Sequence, residues 1–137
     1  MNAPILLDTC AAIWSTGDTS WSPAGEAAIA EANRGASEVF VSPITAWELG
    51  LLVAKGRLAL RLPPKLWFAG LLASGARLAP LTPDIFIESS SLPGDLHGDP
   101  ADRILAATAR ACGYRLMTRD KPLLAYGEAG HLQTIPC

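Results

Sequence analysis

The strongest constraint on the fold is an alternation of short apolar runs with longer segments of helical spacing that open on proline. The runs Ile5–Leu7 and Val39–Val41 are short and apolar, which is typical of buried strands. Where such strands alternate with helices, right-handed crossovers produce a mostly parallel sheet that is covered on both faces. The sequence therefore predicts an α/β fold.

Serine and proline mark the predicted helix boundaries. Ser22-Pro23 and Ser42-Pro43 each combine an N-cap residue with a first-turn proline. Pro100 opens the helix with the clearest apolar stripe, and Gly113 ends it. Further helices are predicted to start at 64 and 83, and further strands near 78–79, 114–117 and 133–135. At 137 residues, the chain is expected to form a single domain, 1–137.

Charge and cysteine content exclude several classes of site. The net charge is −2, so contact with nucleic acid must be local or mediated by cations. With three scattered cysteines and two histidines, the chain offers no disulfide framework and little material for a zinc site. It has no recognisable signal peptide and no apolar run long enough to span a membrane, so we expect a cytoplasmic location. Two stretches concentrate the basic residues and fit either a solvated face or a nucleic-acid contact: Lys55, Arg57, Arg61 and Lys65, and Arg103, Arg110, Arg115, Arg119 and Lys121.

Acidic residues follow the predicted strands or begin the helices after them. In a parallel sheet these positions converge on one edge, where the sites of such folds form. Carboxylates held close together raise one another's pKa unless a cation joins them, and Mg²⁺ or Mn²⁺ prefers oxygen ligands. A cation of this kind supports phosphoryl chemistry. The acids in question are Asp8, Glu48, Asp99, Asp102 and Asp120.

Each acid also has a purely structural interpretation. Glu48 completes a capping box with Thr45, unless Ser42 is the true cap of that helix. Asp99 fits an N-cap and Asp102 the positive end of the same helix. Likewise, Asp8 fits the cap of a helix near Cys10, and Asp120 a turn before Pro122. Capping gives no reason, however, for all of these acids to share one edge of the sheet.

Four segments in the same order resemble the sequence blocks of PIN-domain proteins, and most of all those of VapC-like toxins. They are Leu6-Leu7-Asp8-Thr9, Ser42-Pro43-Ile44-Thr45-Ala46-Trp47-Glu48, His97-Gly98-Asp99-Pro100-Ala101-Asp102-Arg103 and Leu116-Met117-Thr118-Arg119-Asp120. The resemblance implies an α/β/α sandwich and an endoribonuclease that uses Mg²⁺ or Mn²⁺. It also implies a homodimer and a VapB-like antitoxin as partner.

Carried over by position, the resemblance assigns roles to individual residues. It implies that four acids bind the metal and catalyse hydrolysis: Asp8, Glu48, Asp102 and Asp120. Asp99, Thr9 and Thr118 become auxiliary residues, and Asp99 remains an alternative to Asp102 as the third acid. Beside the acids in sequence stand candidates for binding the RNA backbone: Arg103, Arg119 and Lys121.

Two other functions remain to be weighed. A PIN-fold protein that binds RNA or an antitoxin without cutting is the nearest alternative, although the intact set of acids argues against it. A haloacid dehalogenase phosphatase would require a second aspartate two residues after Asp8, where Cys10 stands. The tryptophans are candidates either for a partner surface or for the core, and the core is expected to take at least two of them: Trp14, Trp21, Trp47 and Trp67.

Overall fold

The computed structural model describes residues 2–17 and 20–137. These residues form five strands and seven helices. The strands are β1 (Ile5–Leu7), β2 (Val39–Val41), β3 (Arg77–Leu78), β4 (Arg115–Thr118) and β5 (Gln133–Pro136). The helices are α1 (Thr9–Trp14), α2 (Pro23–Asn33), α3 (Pro43–Ala54), α4 (Pro64–Ala73), α5 (Pro83–Ser89), α6 (Pro100–Cys112) and α7 (Lys121–Glu128).

The strands form one sheet in the order β3-β2-β1-β4-β5, and all of its pairings are parallel. The predicted α/β class is therefore confirmed. β1 lies in the centre, where Leu7 pairs with Val41 on one side and Met117 on the other. Since all strands run the same way, the residues that follow β1, β2 and β4 lie along one edge.

The sheet separates two apolar cores, because successive side chains of a strand point to opposite faces. On one face, Leu6 packs with residues of α6 and α7, among them Leu105 and Tyr126. On the other face, Ile5 and Leu7 pack with small residues of α1 and α2 and with Leu71 of α4. Helices thus cover both faces, which is the predicted three-layer sandwich.

Local sequence signals account for most of the helix boundaries. The hydroxyls of Ser22, Ser42 and Thr82 each accept a backbone hydrogen bond at a helix start. Gly113 ends α6 at φ 71°, a left-handed conformation that glycine adopts without strain. The sequence prediction did not include α7, since Asp120 was interpreted as part of a possible turn. Among the described residues, no helix is both long and apolar enough to cross a membrane.

Candidate active site

Acidic side chains meet at the edge of the sheet where the strands end. Asp8 follows β1 and Asp120 follows β4, two strands that are paired in the sheet. Glu48 is presented by α3 and Asp102 by the first turn of α6. These residues lie around a cavity of about 340 Å³, which also has Thr9, Cys10, Trp14, Asp99 and Arg119 in its walls.

Three of the aspartates cap helices as well as facing the cavity. One carboxylate oxygen of Asp8 accepts the N–H of Ala11 at 2.7 Å. Asp99 accepts the N–H of Asp102 at 3.1 Å, and Asp120 that of Leu123 at 3.0 Å. These three aspartates therefore cap helices, as one interpretation of the sequence expected, and they also line the same cavity. Each cap fixes the orientation of a carboxylate at the cavity wall.

Glu48 has no capping role. Ser42 is the N-cap of α3, so Glu48 lies beyond the first turn and the capping box with Thr45 does not form. Its carboxylate instead accepts a hydrogen bond from the hydroxyl of Thr9, which lies 3.1 Å from the hydroxyl of Thr45. Two buried threonines thus hold Glu48 towards the cavity.

His97 joins Asp102 and Asp120, although the sequence analysis gave it no role. Its Nε2 lies 3.3 Å from a carboxylate oxygen of Asp102 and 3.5 Å from one of Asp120. Its Nδ1 accepts the backbone N–H of Asp99 at 3.1 Å, so in the neutral ring the proton is on Nε2, facing both acids. The only sequence signal for this role was that His97 lies two residues before Asp99. The direction of a side chain in a loop cannot be read from local sequence.

The two predicted auxiliary threonines contact different acids. Thr9 bonds to Glu48 rather than to its neighbour Asp8. The hydroxyl of Thr118 accepts the backbone N–H of Asp120 at 3.0 Å. Burial raises the pKa of Asp8, and a hydrogen bond from Thr118 offsets part of that rise. Asp99 is exposed at the cavity rim, whereas the side chain of Asp102 is 22 % exposed and lies deeper.

Burial and mutual repulsion make the acids hard to ionise. Burial raises the pKa of Asp8 and of Glu48 above their ordinary values. The pKa of Asp102 rises to about 7, chiefly through burial and then through the negative charges of neighbouring acids. The pKa of the Cys10 thiol rises to about 11, through burial and then the carboxylates around it. Among the described residues, neither arginine nor lysine forms an ion pair with these acids.

The donor set fits a divalent cation that prefers oxygen ligands. Carboxylate oxygens of Asp102 and Asp120 lie within 4.8 Å of each other, and Asp8 and Glu48 face the same cavity. A cation there would offset the repulsion that raises the carboxyl pKa values. The residues present therefore suit Mg²⁺ or Mn²⁺ better than a thiolate-seeking metal.

The predicted RNA-binding residues have different surroundings. Arg103 donates to the backbone carbonyls of Ser89 and Leu96, at 2.8 and 3.0 Å, and so ties α6 to the preceding segment. The guanidinium of Arg119 lies 3.9 Å from the ring centre of Trp14 and donates to two backbone carbonyls. Lys121 is exposed in the first turn of α7. The two arginines thus bind their own chain, and Arg119 still lines the cavity.

A family model for the PIN domain matches residues 5–128. The chain belongs to the PIN-domain family. It is 34 % identical over 125 residues to Ribonuclease VapC22 of Mycobacterium tuberculosis, covering 89 % of this chain and 91 % of that relative. The resemblance inferred from the four sequence blocks is thereby confirmed.

Solved structures share the same PIN fold. VapBC2 from Rickettsia felis, bound to a DNA fragment from its promoter, superposes with a TM-score of 0.66 at 15 % identity, over 96 % of this chain and 97 % of that chain. A toxin–antitoxin complex from Klebsiella pneumoniae gives a TM-score of 0.60 at 19 % identity, over 93 % and 94 %. At identities of 15 % and 19 %, these superpositions support only the fold of this chain.

Proposed function

We propose that this PIN-domain protein is a metal-dependent endoribonuclease and the toxin component of a VapBC-type toxin–antitoxin module. The observation that carries the proposal is the convergence of Asp8, Glu48, Asp102 and Asp120 on one cavity, where no described arginine or lysine forms an ion pair with them. A similar relative is named as a ribonuclease, and similar folds occur in toxin–antitoxin complexes.

The four acids are the proposed metal-binding and catalytic residues. A divalent cation at this site, Mg²⁺ or Mn²⁺, would supply polarisation of the phosphodiester and a lower pKa for water. Asp8 and Asp120 would hold it with carboxylates that the helix caps keep in place, and Glu48 with a carboxylate that bonds to Thr9. Asp102, whose pKa is about 7 without a cation, would hold it in the ionised form.

Auxiliary residues position these groups and the substrate. Asp99 orients the first turn of α6, which carries Asp102, and the protonated Nε2 of His97 faces Asp102 and Asp120. Lys121 and Arg119 are the proposed phosphate contacts beside the cavity. Arg103 supports the fold through its carbonyl bonds, which weakens its sequence-based assignment to RNA.

The proposed partners follow from the same relatives. We infer that a VapB-like antitoxin binds this chain and inhibits it, that the chain forms a homodimer, and that it acts in the cytoplasm. Similar folds are seen in a VapBC complex and in a further toxin–antitoxin complex, which supports the antitoxin.

Cleavage of total RNA by the purified protein tests the proposal. We expect fragments with Mg²⁺ or Mn²⁺, no fragments with EDTA, and no fragments from an Asp8→Asn variant. Asparagine keeps the cap to Ala11, so loss of cleavage would reflect loss of the charge rather than of the helix. RNA binding without cleavage under either metal would refute the enzyme and favour a PIN-fold binding protein.

A further inference from the structure

A second groove, of about 280 Å³, adjoins the catalytic cavity. Glu48 and Asp99 line both, so the two lie side by side. The groove runs from these acids along α3 to Lys55 and Arg57, and Trp47 forms part of its wall. We call it the Trp47 groove.

Trp47 differs from the other tryptophans of the chain. It is 54 % exposed, whereas Trp14, Trp21 and Trp67 are partly buried against the core beneath α1 and α2. An indole exposed to this extent leaves a large apolar face in contact with water. It directly precedes Glu48, so this face lies next to the proposed catalytic acids.

Two basic side chains lie at the far end of the groove. Trp47 and Leu51 are four residues apart and share one face of α3, and Lys55, the C-cap residue of that helix, follows four residues later. Eight residues of helix place Trp47 and Lys55 about 12 Å apart along the axis. Lys55 and Arg57 are exposed, and neither forms an ion pair with a described residue.

An aromatic face and two cations beside an acidic cavity have the chemistry of a single-stranded nucleic-acid site. Bases stack on exposed aromatic rings, and lysine and arginine bind the phosphates between them. The acids alone would repel a polyanion, so a strand needs positive charge close by to approach them. Lys55 and Arg57 supply that charge at the far end of the adjoining groove.

We propose that the Trp47 groove binds an unpaired segment of the RNA substrate, with a base stacked on Trp47 and a phosphate held by Lys55 and Arg57. This inference rests on the proposed ribonuclease function and adds to it a substrate-binding subsite outside the catalytic cavity. A duplex keeps its bases stacked inside and offers none to the indole.

The groove on the other side of Trp47 has a different character. Its walls are apolar and carry no charged residue: Pro43, Ile44, Leu81, Phe86, Pro100 and Ile104. A protein segment suits such a surface better than a phosphate chain does. Contact of Trp47 with a second copy of the chain is therefore the competing outcome.

RNA binding by the full chain tests the proposal in an Asp8→Asn background, where cleavage is removed. The probe is a short fluorescent oligoribonucleotide without secondary structure, followed by anisotropy, beside a hairpin of the same length. We expect Trp47→Ala to weaken binding about 5- to 100-fold, and Trp47→Phe to weaken it much less because a ring remains. The hairpin should bind more weakly and respond little to either change.

Charge removal gives an independent measure. The double variant Lys55→Gln/Arg57→Gln should weaken binding and lower the slope of log affinity against log salt by about 0.7 for each phosphate that the protein no longer neutralises. Arg34→Gln/Arg77→Gln removes the same charge from exposed sites at the end of α2 and in β3, and should leave the slope unchanged. Ile87→Ala, at a side chain 66 % exposed on α5, is the matched apolar control.

Two results would overturn the subsite. One is binding by Trp47→Ala within about twofold of its parent. The other is a change of oligomeric state in light scattering while RNA affinity stays the same, which would assign Trp47 to a protein interface. Cleavage by the wild-type chain is scored separately. Cleavage without an effect of Trp47→Ala on binding refutes the subsite alone, and binding through Trp47 without cleavage refutes the enzyme alone.

Discussion

The two edges of the sheet treat carboxylates in opposite ways. Near the start of β4, Arg115 pairs with Glu31 at 3.0 Å, and near the start of β3, Arg77 pairs with Glu38 at 2.9 Å. The pKa of Glu31 is lowered, chiefly by its hydrogen bond to Arg115. At the other edge, burial raises the pKa of Asp8, and no described arginine or lysine pairs with it. Carboxylates at the first edge form ion pairs, whereas those at the other repel one another until a proton or a cation joins them.

The largest expected effect is on catalysis. Asp8→Asn should lower the rate of RNA cleavage by at least about two orders of magnitude, since it removes a charge where the proposed cation binds. Glu31→Gln, at the opposite edge, should leave the rate unchanged. Steady-state cleavage of one defined RNA measures both, and comparable losses in the two variants would refute the contrast between the edges.

The second effect concerns stability without metal. The pKa of Asp102 is about 7 in the folded chain, against an ordinary value near 4, so the folded state binds more protons than the unfolded state between these values. The free energy of unfolding in EDTA should therefore fall as the pH rises from about 4 to 7 and then level off. Asp102→Asn should remove much of this slope and, at pH 8, stabilise the metal-free chain by on the order of 1–3 kcal/mol.

Urea unfolding at a series of pH values, in EDTA, measures that slope. Glu31 contributes a pH dependence of the opposite sign, which Glu31→Gln should remove. Because the pKa of Glu31 is lowered, its ionised form stabilises the folded chain above the ordinary pKa, and this contribution is lost on acidification. The prediction would be wrong if the free energy of unfolding of the wild-type chain rose between pH 5 and 7 while that of Asp102→Asn did not.

A third effect is the response to metal. Mn²⁺ or Mg²⁺ should raise the melting temperature by several degrees at pH 8. The rise should be smaller at pH 5.5, because protons then compete with the cation for the carboxylate of Asp102. Thermal unfolding with and without metal follows this, and Asp102→Asn should show little response at either pH. Ca²⁺ serves as a control that separates oxygen binding in general from a preference for the smaller ions.

The smallest expected effects are on stability, at the edge of the sheet where the strands begin. Arg115→Gln should lower stability by about 1–2 kcal/mol, because its guanidinium also donates twice to the carbonyl of Ala3, at 3.0 and 2.8 Å. Arg77→Gln should cost less than about 0.5 kcal/mol, since its ion pair is solvent-exposed. Both should retain full cleavage activity, and a loss of activity in either would show that the two edges are coupled.

Sequence periodicity and capping residues predicted the sheet and most helix starts because both depend on near neighbours in the chain. α7 was missed because an aspartate two residues before Pro122 fits a turn as well as a helix cap. The bond from Thr9 to Glu48 spans 39 residues, and no local pattern encodes such a contact. The same holds for His97, whose neighbours Asp102 and Asp120 come from two different helix starts.

Asp8 and Asp120 both cap helices and line the proposed active site, and this affects how the protein can evolve. Asparagine caps a helix about as well as aspartate does, and the codons of the two residues differ by a single base. One substitution at Asp8 or Asp120 would therefore remove a proposed catalytic carboxylate and leave the helix that follows it in place. The proposed ribonuclease thus lies one mutation from a folded chain that lacks a catalytic acid and keeps the rest of its surface.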